Sequence, residues 1–242
     1  MNFNLKWDNE DAQAFGNETW WKFLRRIETT KQDAKTNDKT IVKLLENFYP
    51  DIPFYNIQTT YSYLLDSNLL KDMINSVDQV YFNQQMLHLG VLNKIDVQFH
   101  DLQSGIAGST AVMKDRALIK INLMQFLAWE NVRKGSRMQS MGTERCSGFI
   151  ECILKSFLHE LTHAIIIVCS PIIKLNKVIV RPRHFVNEWK YTRVPQTVGD
   201  LNYKGDTFNA NTGHGSVFMN ILFNTFGQKF DYHDNYRFHL KL

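Results

Sequence analysis

Residues 149–169 read FIECILKSFLHELTHAIIIVC and are followed by Ser170 and Pro171. The run is apolar almost throughout, and its spacing predicts one helix from about Phe149 to Cys169 that Pro171 ends. A helix of that character belongs in the middle of a protein, so the rest of the chain has to be built around it. Yet His159, Glu160 and His163 lie inside it, and burying such groups unpaired is costly. A metal would remove the cost. Residues four apart share a helix face, about 5.4 Å apart along the axis. His159 and His163 can therefore offer two imidazole nitrogens to one zinc ion. Glu160, one step round, is placed to take a proton from a water that the metal has acidified. This is the chemical content of the pattern His-Glu-x-x-His.

A catalytic zinc needs a third protein ligand. Metzincins would carry Gly and His where this chain has Ile166 and Cys169, so that class is excluded. A thermolysin-like site would use a later glutamate, and Glu188 is the only one after Glu160. The other donors are His184, His214, His233 and His239. His214 stands out within NTGHGSVFMNILFNTFG, because Gly213 and Gly215 flank it and an apolar helical pattern begins near Phe218. Glycines let a backbone bring its side chain close to a partner.

The chain has 242 residues and is 44% hydrophobic, enough for one full core or one core with an appended piece. Its net charge of +4 permits an acidic partner without requiring one. Cys146, Cys152 and Cys169 fit neither a disulfide framework nor a zinc ribbon, so reduced thiols in the nucleus or cytoplasm are expected. The N-terminus lacks the pattern of a secretory signal, and AIIIVC alone is too short to span a bilayer. The expectation is an intracellular, non-secreted protein without a membrane partner.

Along the chain, WWKFLRRI suggests a helical turn or two, with Trp20, Trp21, Phe23 and Leu24 seeking a core. ETTKQDAKTNDKT reads as a polar surface loop or linker, and IVKLLENFYPDIPF as a short helix stopped by Pro50 and Pro53. Residues 61–86 have apolar positions at helical spacing (Leu64, Leu65, Leu69, Leu70, Met73, Ile74, Val77) and predict one or two helices. IDVQFH alternates as a strand, with Ile95, Val97 and Phe99 on one face, and ALIKINL alternates through Leu118, Ile119 and Ile121. With GIAGSTAVM between them, these predict a small three-strand meander. LMQFLAWENV predicts a short helix, and RKGSRMQSMGTERCSG a polar loop.

In this order the pieces resemble the SprT-like, or Spartan, family of zinc metalloproteases over roughly residues 60–225. VDQVYFNQQM is similar to its helix with an aromatic pair, and IDVQF followed by GIAGST to its strand and Ala-Gly step, here Ala107 and Gly108. LIKINLMQF resembles its next strand leading to a helix, FLHELTHA its leading motif, and GHGSVF its Gly-His-Gly-x-x-Phe segment. The resemblance implies an α+β fold of minimal zincin type, with helices on a small, mostly antiparallel sheet and the His-Glu-x-x-His motif on a central helix. It also implies Zn2+ held by His159, His163 and His214. Glu160 would be general base and then proton donor to the leaving amine. The implied activity is zinc endopeptidase hydrolysis of proteins bound or crosslinked to DNA, as in the repair of such crosslinks.

The resemblance divides the chain into an N-terminal extension of unassigned role, residues 1–58, and a protease domain, residues 59–242. That domain has a basic insertion at about 171–210. The insertion carries Lys174, Lys177, Arg181, Arg183, Lys190 and Arg193 against Glu188 alone in KLNKVIVRPRHFVNEWKYTRV, and it could form a β-hairpin. Those cations could follow DNA phosphates, with Trp189 and Tyr191 as stacking surfaces; a solvated surface hairpin is the other reading. Two further functions stay open. One is a non-catalytic module that keeps zinc for stability, structural or DNA-associated. The other is a thermolysin-like peptidase with Glu188 as third ligand.

Overall fold

A computed structural model describes residues 12–54, 56–102, 106–113, 116–132, 139–141, 144–146, 148–170, 172–175, 178–180 and 216–228. The fold is α+β, with helices around a small mixed three-stranded sheet. Strand β1 (Ala12–Phe15) precedes helices α1 (Glu18–Thr29), α2 (Ala34–Phe48), α3 (Ile57–Asp66), α4 (Leu69–Phe82) and the short α5 (Gln85–His88). Strands β2 (Ile95–Phe99), β3 (Gly108–Met113) and β4 (Arg116–Ile121) follow, then helix α6 (Leu123–Val132). A short hairpin, β5 (Gln139–Met141) and β6 (Glu144–Cys146), leads to helix α7 (Phe149–Cys169). Strands β7 (Ile172–Leu175) and β8 (Val178–Val180) and helix α8 (Ser216–Asn224) complete the described strands and α-helices.

Helix α7 has the bounds its sequence predicts. The N–H of Ser170 closes its last turn on the Ile166 carbonyl, and Pro171 comes next. It is the one helix among the described residues long and apolar enough to cross a membrane, but most of it is buried inside the protein. The elements that cover it are β3 and β4 on the sheet side and α1, α2, α6, α8 and the β5–β6 hairpin elsewhere. One core cluster runs from Trp21, Phe23 and Leu24 through Ile41, Leu45, Met73 and Val77 to Phe157, Leu161, Phe218 and Phe226. The described part of residues 1–58 thus shares its core with α7.

The strands do not form a meander. Their order is β2-β4-β3, with β4 parallel to β2 and antiparallel to β3. Composition explains why β4 takes the middle. Its Ala117, Ile119 and Ile121 are wholly buried on one face, whereas β3 begins Gly-Ser-Thr-Ala and tolerates the edge. Strict alternation also corrects the expected face of β4, because Leu118 points to the opposite side from Ile119 and is half-buried. The Asn122 side chain then fastens the β2–β3 connection by donating to the carbonyls of Ile106 (2.9 Å) and Leu102 (3.2 Å).

Three other expectations change. The segment AKTNDKT is not loop but the first half of α2, started by Asp33, whose carboxylate accepts from the Thr36 N–H. Leu65 is exposed, one step round α3 from the buried Leu64. The stretch around Met141 contains the β5–β6 hairpin. A hairpin does open the basic region, where β7 pairs with β8 and β1 adds on the other side of β7. Cys146, Cys152 and Cys169 are free and buried, and burial pushes the Cys169 thiol far up, which keeps it protonated and unreactive.

A buried ion pair ties the helices to α7. Lys155, one turn before His159, reaches Asp38 of α2 at 2.5 Å. Tyr81 of α4 donates to the other Asp38 oxygen at 2.6 Å. Beyond α8, Gln228 donates to the Lys155 carbonyl at 3.0 Å. Burial is the largest influence on Asp38 and raises its pKa, against the opposing pull of the Lys155 charge and of the Lys155 and Tyr81 hydrogen bonds.

Candidate metal centre

His159, Glu160 and His163 lie on the part of α7 that faces β3 and α8. His159 and Glu160 are only 5% and 7% exposed, so neither is a surface residue of an ordinary amphipathic helix. His163 is half-buried. The two imidazole rings stand 5.3 Å apart between centroids, inclined at 69°. Two imidazoles sharing one tetrahedral ion at ordinary zinc–nitrogen distances have centroids about 5.2 Å apart. The spacing of the two rings is compatible with a shared ion, and imidazole is a donor that zinc favours.

Phe218 backs both rings. Its centroid lies 4.3 Å from that of His163 at a shallow 31° and 5.0 Å from that of His159 at 68°. The ring is wholly buried, and packing of this kind limits the rotamers open to the two histidines. The position of Phe218 is fixed in turn by α1. Asn220 donates to the Glu28 carboxylate at 3.0 Å, Asn224 to the Glu28 carbonyl at 2.8 Å, and Thr225 to the Ile27 carbonyl at 2.7 Å.

Glu160 meets β3. The Thr110 hydroxyl lies 2.7 Å from Glu160 Oε2 and 2.9 Å from the Glu160 main-chain oxygen. Beside it, Gly108 leaves a gap that the glutamate fills. A Cβ at position 108 would come within 2.8 Å of Glu160 Cγ and 3.2 Å of Oε1. The Ala-Gly step is thus a steric requirement of the glutamate, where the sequence showed only a permissive backbone. The sequence alone does not reveal Thr110 or the contact of Phe218 with the two rings. Thr110 had no local signal, since its partner is fifty residues away.

No family model, curated protein or solved structure matches this chain. The site therefore has to be read from its own residues. Among the described residues no group of three or more His, Cys, Asp or Glu is placed to hold a metal. His184, Glu188, His214, His233 and His239, the residues weighed as third ligand, lie outside the described residues. So do Lys177, Arg181, Arg183, Trp189, Lys190, Tyr191 and Arg193, while Lys174 falls in β7. What the structure brings together is His159, His163, Glu160, Thr110, Gly108 and Phe218. That set supplies two metal donors and a carboxylate held beside them.

Proposed function

We propose that the chain is a zinc-dependent endopeptidase of the SprT-like kind, of minimal zincin fold, acting on proteins bound or crosslinked to DNA. The observation that carries this reading is the seating of Glu160 next to two histidines on a buried helix. A zinc site kept for stability has no use for that carboxylate, yet a glycine and a threonine are spent on accommodating it.

His159 and His163 would hold the metal, with His214 as third ligand; α8, which begins two residues after His214, brings Phe218 against both rings. Bound zinc would supply Lewis acidity, lowering the pKa of a coordinated water and polarising the scissile carbonyl. Glu160 would accept the proton of the attacking water and deliver it to the leaving amine, so that each peptide bond broken consumes one water. Phe218 and the apolar surroundings of α7 would keep bulk water from the reacting groups and strengthen the interactions among them. The basic residues Lys174, Lys177, Arg181, Arg183, Lys190 and Arg193 support the DNA part of the reading, since clustered cations follow phosphates.

The test is hydrolysis of a protein substrate by the zinc-loaded full chain, with and without single-stranded DNA and after metal chelation. Hydrolysis should vanish on chelation, return with added zinc, and rise with DNA. Undiminished cleavage after complete metal removal would sink the metallopeptidase reading. Cleavage that is zinc-dependent but indifferent to DNA would remove only the DNA part.

A further inference from the structure

We propose that Thr110, together with the gap left by Gly108, is the device that holds Glu160 in position for proton transfer. The inference rests on the endopeptidase reading and adds to it a positioning residue outside the His-Glu-x-x-His helix. A glutamate side chain has three rotatable bonds, and a general base that wanders by an ångström loses much of its effect. Two independent features oppose that wandering here. The Gly108 backbone accepts Glu160 Cγ where any other residue would put a Cβ, at 2.8 Å. The hydroxyl of Thr110, a residue only 5% exposed, reaches Glu160 Oε2 at 2.7 Å, a distance that suits a hydrogen bond to a charged acceptor.

The hydroxyl has one hydrogen and two acceptors on the same residue, the carboxylate and the main-chain oxygen at 2.9 Å. While Glu160 is ionised, the hydrogen goes to Oε2. Once the carboxylate has taken the proton of the attacking water, the same hydrogen can turn to the main-chain oxygen, and the Thr110 oxygen can then accept from the carboxylic acid. The proton then goes on from Glu160 to the leaving amine. Thr110 is thus a partner for both states of the base. The strand that supplies Thr110, β3, is an edge strand of its sheet and packs on α7 beside the site.

The experiment compares Thr110→Val, Thr110→Ser and Gly108→Ala in the full chain. It measures kcat, KM, zinc content and a crystal structure of each. Thr110→Val should lower kcat about 10–100-fold with KM and zinc content unchanged. Thr110→Ser, which keeps the hydroxyl, should recover most of the rate. In crystals of Thr110→Val and Gly108→Ala the Glu160 carboxylate should have left its seat. The proposal is overturned if Thr110→Val keeps wild-type kcat, if Ser rescues no better than Val, or if Glu160 stays in place without the hydroxyl. A zinc-loaded wild type that hydrolyses nothing would defeat the endopeptidase reading instead, and the crystal structures would still report whether Thr110 holds Glu160.

Discussion

Glu160→Gln should abolish peptide hydrolysis, with a loss of about 10³-fold or more, and leave zinc bound. The substitution is nearly isosteric. Gln fits the gap at Gly108, and its amide oxygen can still accept the Thr110 hydroxyl hydrogen. Neither His159 nor His163 is touched, and the Phe218 contacts that steady them remain. What disappears is the ability to take and return a proton. The measurement is the rate of protein cleavage beside the zinc content and melting temperature of the same sample. A variant that melts like wild type, holds zinc and cleaves at an undiminished rate would show that Glu160 is not the base.

The second large effect is on stability. Lys155→Met should destabilise the fold by about 3–5 kcal/mol, because it leaves the buried Asp38 carboxylate without its charge partner. For a domain of this size that lowers the melting temperature by about 10 °C. The double variant Lys155→Met, Asp38→Leu should recover most of the loss. Taking both charges out of water offsets most of their mutual attraction, so the pair gives little net stability over an apolar pair of similar size. Tyr81 then loses an acceptor, but its hydroxyl also lies 3.2 Å from the Ala34 carbonyl and can donate there. Thermal or urea unfolding of both single variants and the double variant gives the coupling energy directly. Single variants with wild-type stability would contradict the buried pair, and a double variant as poor as the singles would contradict its replaceability.

The same two regions show what the sequence makes legible. Helix α7 could be read to its ends because a long apolar run, a proline and a polar triplet at helical spacing are all local signals. The first half of α2 could not. Ala34 and Asp38 look like loop residues in AKTNDKT and become helical core only through Tyr81 and Lys155, and the latter is 117 residues away. The strand order is hidden in the sequence for a related reason. Alternation identifies strands one at a time, but which strand occupies the centre depends on comparing faces between strands, and here the all-buried face of β4 prevails over the small, polar β3. At the site, His159, Glu160 and His163 were legible from spacing. Thr110 and Gly108 acquire meaning only when β3 is laid against α7, and Phe218 only when α8 is.

The two histidines make one claim that can be measured without any substrate. Elemental analysis of the purified full chain, supplied with zinc and then freed of excess metal, should find one zinc per chain. His159→Ala, His163→Ala and His214→Ala should each lose it, and Glu188→Ala should keep it. Loss in Glu188→Ala but not in His214→Ala would give the third position to Glu188 and a thermolysin-like site. Full zinc content in His159→Ala and His163→Ala, or none in a folded wild type, would contradict the account at its centre.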